Sequence, residues 1–298
     1  MIYSMGEMLI DFMQEENGSY IPYPGGAPAN VAAHAKRSGA NAVFVGKIST
    51  DNFGELLTNT LEKYNILFPL ERSEKNTALA IISHVNGERS FQFYRNNTAD
   101  LDLNKDDIDQ INFNPKDILH FCSLGLVPDG STYDSHQYAL ETCRANGGII
   151  SFDVNLREKL WSHLDVALSS VMSMIPQVDI IKVNESELTW LTGTEDIEAG
   201  LKKLQTHHQL VICTLGSAGS ILLNSKGVFL KYQPPICEQV DTTGAGDSYI
   251  AMILASLEKS ALSFIDWQAE ELEQAVVYAS KISAQVVMLP GAIPAIQY

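Results

Sequence analysis

Short runs rich in β-branched and aromatic residues alternate along this chain with longer stretches whose apolar positions recur at helical spacing. Residues 42–45, 118–122, 148–153, 179–183 and 210–215 read as strands. Residues 28–37, 53–64, 133–145, 196–206 and 268–284 read as helices, the first opened by Pro28 in its first turn. Strands that alternate with helices are joined by crossovers rather than tight turns, which favours a parallel sheet covered on both faces. The expectation is a single three-layer α/β/α domain over residues 1–298 with a mainly parallel central sheet.

One region breaks the rhythm. Residues 77–85 and 89–95 are two β-rich arms around Asn86-Gly87, the favoured chemistry of a tight hairpin turn. A further extended piece at 19–24 is expected to pair with this hairpin. Insertions near 12–25 and 76–97 would then build a small β-sheet beside the core, placed as a lid. A lid excludes water, which matters most where hydrolysis competes with a transfer reaction.

Charge narrows the choice of partner. Twenty Lys and Arg stand against thirty-six Asp and Glu among 298 residues, a net charge of −16. Such a field repels nucleic acid, so any anionic ligand must be held locally by backbone N–H groups, a helix N-terminus or a bound cation. Cys122, Cys143, Cys213 and Cys237 show neither zinc-site nor Cys-x-x-Cys spacing and read as reduced thiols. No secretory leader and no membrane-length apolar run is visible, so the expected location is the cytoplasm, away from membranes.

The segment most suggestive of chemistry is Asp241-Thr242-Thr243-Gly244-Ala245-Gly246-Asp247-Ser248, followed by an apolar helical run. Three small residues at a helix start let backbone N–H groups converge, and the helix dipole adds partial positive charge there. Asp247 inside that cradle would repel an anion unless it has work to do. A carboxylate beside an anion hole can accept a proton from an attacking hydroxyl. Standing alone, the segment reads first as an ordinary helix start with a first-turn acid. A second loop, Gly25-Gly26-Ala27-Pro28-Ala29-Asn30, also opens a helix, with Asn30 in its first turn.

Together the two loops resemble the signatures of the ribokinase-like (PfkB) sugar kinases, the first over residues 25–54 and the second as DTTGAGDS at 241–248. GEMLIDF, FQFYRN, FDVNLR, KVNESEL and TLGSAGS follow in the expected order, so the resemblance runs nearly end to end. GGAPAN, TALA and FYRN are most similar to the fructokinase branch. The resemblance implies a ribokinase-like fold and transfer of the γ-phosphate of ATP, with Mg²⁺, to a primary sugar hydroxyl, foremost that of fructose.

Carried over by position, the resemblance implies that Asp247 is the general base and that Gly244, Ala245 and Gly246 form the anion hole, with Arg157 at the γ-phosphate. It implies that Asp11, at the end of the first strand, binds sugar together with Gly25, Gly26 and Asn30, while Arg95 reaches over the ring. An exposed Arg on a strand is the alternative for Arg95. Asn184 and Glu187 would orient hydrated Mg²⁺, although the same spacing describes a helix cap. Thr214, Gly216 and Gly219 would lie against the nucleotide, and Asp241 with Thr243 would hold K⁺.

Tyr278-Ala279-Ser280-Lys281 departs from the family pattern, in a helix that the resemblance places near adenine, and its bulk and charge are a candidate source of altered nucleotide preference. Alternatives within the class are a 2-keto-3-deoxygluconate kinase and an aminoimidazole riboside kinase; outside it stands a sugar-binding regulator without catalysis. A dinucleotide oxidoreductase fails, because no G-x-G-x-x-G after an early strand with an acid about 20 positions on is present, and a P-loop reading fails because Gly46-Lys47 is followed by Ile48. Pairing of two lids would make a homodimer.

Overall fold

The computed structural model describes residues 1–15, 17–85, 88–128, 131–207 and 209–298. The strands are Ile2–Met5 (β1), Leu9–Gln14 (β2), Tyr20–Gly25 (β3), Ala42–Val45 (β4), Leu79–Val85 (β5), Glu88–Tyr94 (β6), Ile118–Cys122 (β7), Ile149–Asp153 (β8), Ile180–Asn184 (β9), Leu210–Thr214 (β10), Ser220–Leu223 (β11) and Phe229–Tyr232 (β12). The α-helices are Ala27–Arg37 (α1), Asn52–Lys63 (α2), Lys105–Ile108 (α3), Ser131–Ala145 (α4), Leu164–Met174 (α5), Glu185–Thr192 (α6), Ile197–Leu204 (α7), Ala245–Lys259 (α8) and Ala269–Val287 (α9).

Eight strands form the central sheet in the order β12-β11-β10-β9-β8-β7-β1-β4. Every pair from β10 to β4 is parallel, and only β11 and β12 run antiparallel at one edge. Period-two alternation divides each strand between two layers. Tyr3, Met5, Phe152, Ile181 and Val183 face a core shared with α4, α5, α6 and α7. Ile2, Ile180 and Ile212 face the other layer, with Val31 of α1, Ile250 and Ile253 of α8, and Val276 of α9. The three-layer expectation is met.

The helix α8 is buried almost all round, Tyr249 to Leu257 with the exception of Ser256, because α1 and α9 enclose it against the sheet. Each of its fully buried Ile, Leu and Met side chains contributes roughly 1.5–3 kcal/mol of transfer free energy. That packing fixes where its first turn points.

A second, four-stranded sheet has the order β3-β2-β5-β6. The extended piece near 19–24 does not pair with the β5-β6 arms as expected. Residues 9–14 form β2 and lie between them, antiparallel to β3 and parallel to β5. The expected Asn86-Gly87 turn lies outside the described residues. Asp11 is likewise not at the end of the first core strand: β1 stops at Met5, and Asp11 belongs to β2 of the small sheet. The short strands β1, β11 and β12 and the helix α5 were also not legible as periodic runs.

Candidate active site

A cleft of about 930 Å³ opens where the C-terminal ends of the parallel strands meet the small sheet. Ligands of open α/β sheets bind at that end, because helix N-termini and the loops after strands converge there. Among the described residues, the cleft is lined by Asp11, Gly26, Asn30, Arg157, Asn184, Glu187, Thr214, Gly216, Gly219, Thr243, Gly244, Ala245, Gly246 and Asp247. Fourteen of the seventeen residues singled out from the sequence therefore share one cavity; Gly25, Arg95 and Asp241 do not line it.

At the small-sheet end, Asn30 Nδ2 donates to Asp247 Oδ2 at 2.8 Å, joining the first turns of α1 and α8 across 217 positions of sequence. Asn30 Oδ1 is buried and has no partner among the described residues. Gly25 acts indirectly: a Cβ there would fall 2.1 Å from Asp11 Oδ2, so the glycine leaves room for that carboxylate. Gly26 has φ of 111°, and a Cβ would fall 2.5 Å from the Glu7 carbonyl oxygen. Only glycine fits both demands.

Two buried acids share this end. Glu7, which carries no local signal of a site in the sequence, lines the cleft at 5% exposure. Burial pushes its carboxyl up to about 7 against the opposing pull of Arg95. Burial likewise raises Asp11 to about 7, opposed by Arg157 and reinforced by Asp247 and Glu7. Arg95 itself does not reach over the cleft. Its Nε donates to Asp100 Oδ2 at 2.5 Å with the two side chains 6% and 0% exposed, so neither expectation held: it is a buried ion pair beside the small sheet. Over the cleft stand Phe91 and Phe93 of β6, and Lys159 Nζ bridges from the core to the Phe91 carbonyl at 2.9 Å.

The centre of the cleft is the start of α8. Gly244 is its N-cap in the left-handed conformation, with φ of 77°, and no side chain caps the helix. The N–H groups of Gly246 and Asp247 donate to no acceptor among the described residues. A helix N-terminus with open donors is an anion seat. Burial raises the Asp247 carboxyl above the ordinary range; Asn30, Lys182 and Arg157 oppose the rise and Asp153 adds to it. Beneath the loop lies a buried pair, Lys182 Nζ to Asp153 Oδ2 at 2.7 Å. FDVNLR and KVNESEL contain both residues, but nothing in the sequence showed that they meet.

Asn184 and Glu187 form a reciprocal cap on α6. Asn184 Oδ1 accepts from the Glu187 N–H, and Glu187 Oε2 accepts from the Asn184 N–H, both at 2.8 Å. Glu187 Oε1 also accepts from the Leu156 N–H at 2.8 Å and so holds the segment carrying Arg157, whose side chain is exposed at the cleft. With both oxygens engaged, Glu187 suits contact with a cation through water rather than direct ligation. No group of three or more His, Cys, Asp or Glu among the described residues is arranged to hold a metal ion.

On the far side, Thr214, Gly216 and Gly219 meet Ser280, Ser283 and Ala284 of α9. Gly219 has φ of 100°, and a Cβ would fall 1.9 Å from the Tyr232 carbonyl oxygen, so β-sheet packing alone demands it. The bulk and charge of Tyr278 and Lys281 stay outside the cleft. Tyr278 packs on the α8 layer, Lys281 is exposed, and neither lines the cleft. Asp241 sits behind the loop: Oδ1 accepts from the Thr243 N–H and hydroxyl at 3.0 and 2.6 Å, and Oδ2 from the Gly291 N–H at 3.0 Å.

Residues 1–297 match the model of the pfkB family of carbohydrate kinases. The chain belongs to that family. It is 33% identical over 313 residues to fructokinase-1 of Oryza sativa subsp. japonica, covering 99% of this chain and 94% of that protein. A structure of a double mutant of Vibrio cholerae O395 fructokinase, bound to fructose, ADP and potassium ion, superposes with a TM-score of 0.87 at 30% identity, covering 99% of this chain and 94% of the other. Aminoimidazole riboside kinase of Salmonella enterica, complexed with aminoimidazole riboside and an ATP analogue, gives 0.86 at 28% identity, covering 99% and 95%. The protein is thus an ATP-dependent carbohydrate kinase of ribokinase-like fold, as its motifs implied. No helix among the described residues is long and apolar enough to cross a membrane.

Proposed function

We propose that this sugar kinase transfers the γ-phosphate of ATP to the primary 6-hydroxyl of D-fructose, with Asp247 as general base. The hydrogen bond between Asn30 and Asp247 carries the reading, because it joins a polar, sugar-sized recess to an uncapped helix N-terminus. In the reaction the sugar oxygen bonds to the γ-phosphorus as the bond from that phosphorus to the β,γ-bridging oxygen breaks. ADP departs with the bond's electron pair, and the hydroxyl proton passes to Asp247. The raised affinity of Asp247 for a proton suits that task.

Backbone N–H groups at Gly246 and Asp247 receive charge on the moving phosphoryl group, and Arg157 neutralises it from the rim. Mg²⁺, when bound, neutralises nucleotide phosphate charge; Asn184 and Glu187 would hold its waters. Asp11 and Asn30 accept and donate to sugar hydroxyls, while Phe91 and Phe93 cover the ring as the small sheet acts as a lid. K⁺ is assigned to the knot that ties Asp241 to Thr243 and Gly291. The inferred setting is the cytoplasm, in keeping with four free cysteines.

Glu7 and Asp11 at the sugar end favour a neutral sugar over a sugar acid, since an anionic substrate would meet two carboxylates. Release of ADP from Mg-ATP, measured with fructose, ribose, aminoimidazole riboside and 2-keto-3-deoxygluconate, tests the substrate. The highest kcat/KM is expected with fructose and the lowest with 2-keto-3-deoxygluconate. Preference for the sugar acid would overturn the assignment.

A further inference from the structure

Asp153 and Lys182 are direct cross-strand partners at the C-terminal ends of β8 and β9. They alternate with Phe152 and Ile181, which belong to the opposite core, and so both point to the layer of α8. Lys182 Nζ is 2.7 Å from Asp153 Oδ2, and the side chains are 7% and 1% exposed. Two features separate this pair from an ordinary buried ion pair. Asp153 Oδ1 is buried without a hydrogen-bond partner, so the pair is incompletely satisfied within the protein. Lys182 also lines the cleft, and a Cβ placed on Gly246 would fall 3.1 Å from Nζ. The ammonium therefore occupies the space beside Gly246, the residue that precedes Asp247, that a side chain there would need.

A buried charge pair is expensive to assemble and is weak evidence for stability. Its place under the loop suggests a different use. We propose that Asp153 and Lys182 form a charge brace in which Lys182 is a positioning residue that seats Gly246 and draws Asp247 toward its ionised form, while Asp153 anchors the ammonium and opposes that pull. The inference rests on the reading of Asp247 as the base.

The groups that face Asp247 are Asp11 from β2, Asn30 from α1, Cys122 from β7, Asp153 from β8, Arg157 beyond β8 and Lys182 from β9. Glu7 and Glu187 stand one step further off, against Asp11 and Lys182. His120, next to Lys182, is fully buried and neutral, pushed down to about 3. Arg157 is exposed and screened by solvent, so Lys182 is the buried cation at the floor of the site.

The test is the acid limb of kcat/KM for fructose at saturating Mg-ATP, in wild type, Asp153→Asn and Asp153→Asn/Lys182→Met. The double variant avoids stranding an unpaired carboxylate, and the nucleotide's own titration is common to all three proteins. With Asp153 neutral, Lys182 acts on Asp247 untempered, and the limb moves to lower pH than in wild type. Removing Lys182 from that background returns it upward by about one pH unit. Coincident limbs in the single and double variants overturn the brace, as does a change confined to KM for Mg-ATP.

If the double variant fails to fold, Asp153→Asn against wild type carries the test alone, and an unmoved or raised limb is the overturning result. Failure of the base assignment shows itself separately, as undiminished turnover in Asp247→Asn.

Discussion

Two helices begin on the same cleft and use their N-termini in opposite ways. At α6, Asn184 and Glu187 satisfy each other's backbone N–H groups, and Glu187 takes a third from Leu156, so the helix start is a closed structural joint. At α8, the N-cap is Gly244, which has no side chain to offer, and the donors of Gly246 and Asp247 stay open. Both ends carry the same partial positive charge from the backbone. The cap decides whether that charge is spent inside the protein or kept for a ligand. The proposed seat of the transferring phosphoryl group lies where the usual N-cap side chain is missing.

The largest expected effect follows from the open end. Asp247→Asn keeps the size of the side chain and an oxygen for Asn30, but it cannot take a proton at neutral pH. Steady-state ADP release should fall by about 10²–10⁴ in kcat with little change in KM for fructose. A variant that turns over like wild type would falsify the division of labour drawn here, because α8 would then bind anions without reacting groups.

A smaller effect separates the two helices by backbone geometry. Gly244 has φ of 77°, and a Cβ there would lie 2.5 Å from the Ala292 carbonyl oxygen. Gly193, the C-cap of α6, has φ of 70° with nothing within 4 Å. Each substitution by Ala costs about 1 kcal/mol or more for the left-handed conformation. Only Gly244→Ala must also displace the anion loop, so its kcat/KM for Mg-ATP should drop roughly 10- to 100-fold, whereas Gly193→Ala loses thermal stability alone. Equal catalytic losses in the two variants would show that the loop position is not what matters.

The same contrast explains what was legible in the sequence. Gly244 to Asp247 stood out because small residues before an apolar helix are a local signal, and Asn184 with Glu187 did so because a reciprocal cap has fixed spacing. The three layers were readable from alternation of strand and helix. What failed was non-local. Arg95 looked available from its place on a strand, but Asp100 claims it five positions later. Asp11 reads as the end of the first core strand because β1 and β2, which lie in different sheets, are separated by only three residues. Tyr278 and Lys281 looked intrusive until the register of α9 turned Ser280 and Ser283 to the cleft instead. Glu7 and the pair of Asp153 with Lys182 gave no local signal, since a buried charge is defined by partners that only folding supplies.

The closed end supplies the smallest effect and the sharpest check. Asn184→Ala removes the acceptor for the Glu187 N–H and for the Ser186 hydroxyl, at 2.8 and 2.7 Å. Loss of such a cap costs about 1 kcal/mol, which for a domain of this size corresponds to roughly 2–4 °C in Tm. If Asn184 and Glu187 meet the metal only through its waters, KM for Mg-ATP should rise several-fold while kcat stays within about threefold of wild type. Calorimetry and initial rates on the same preparation separate the two contributions. A collapse of kcat comparable to that of Asp247→Asn, with so small a change in Tm, would mean that the α6 terminus acts on the reacting atoms directly, and the distinction between a capped joint and an open anion seat would not survive it.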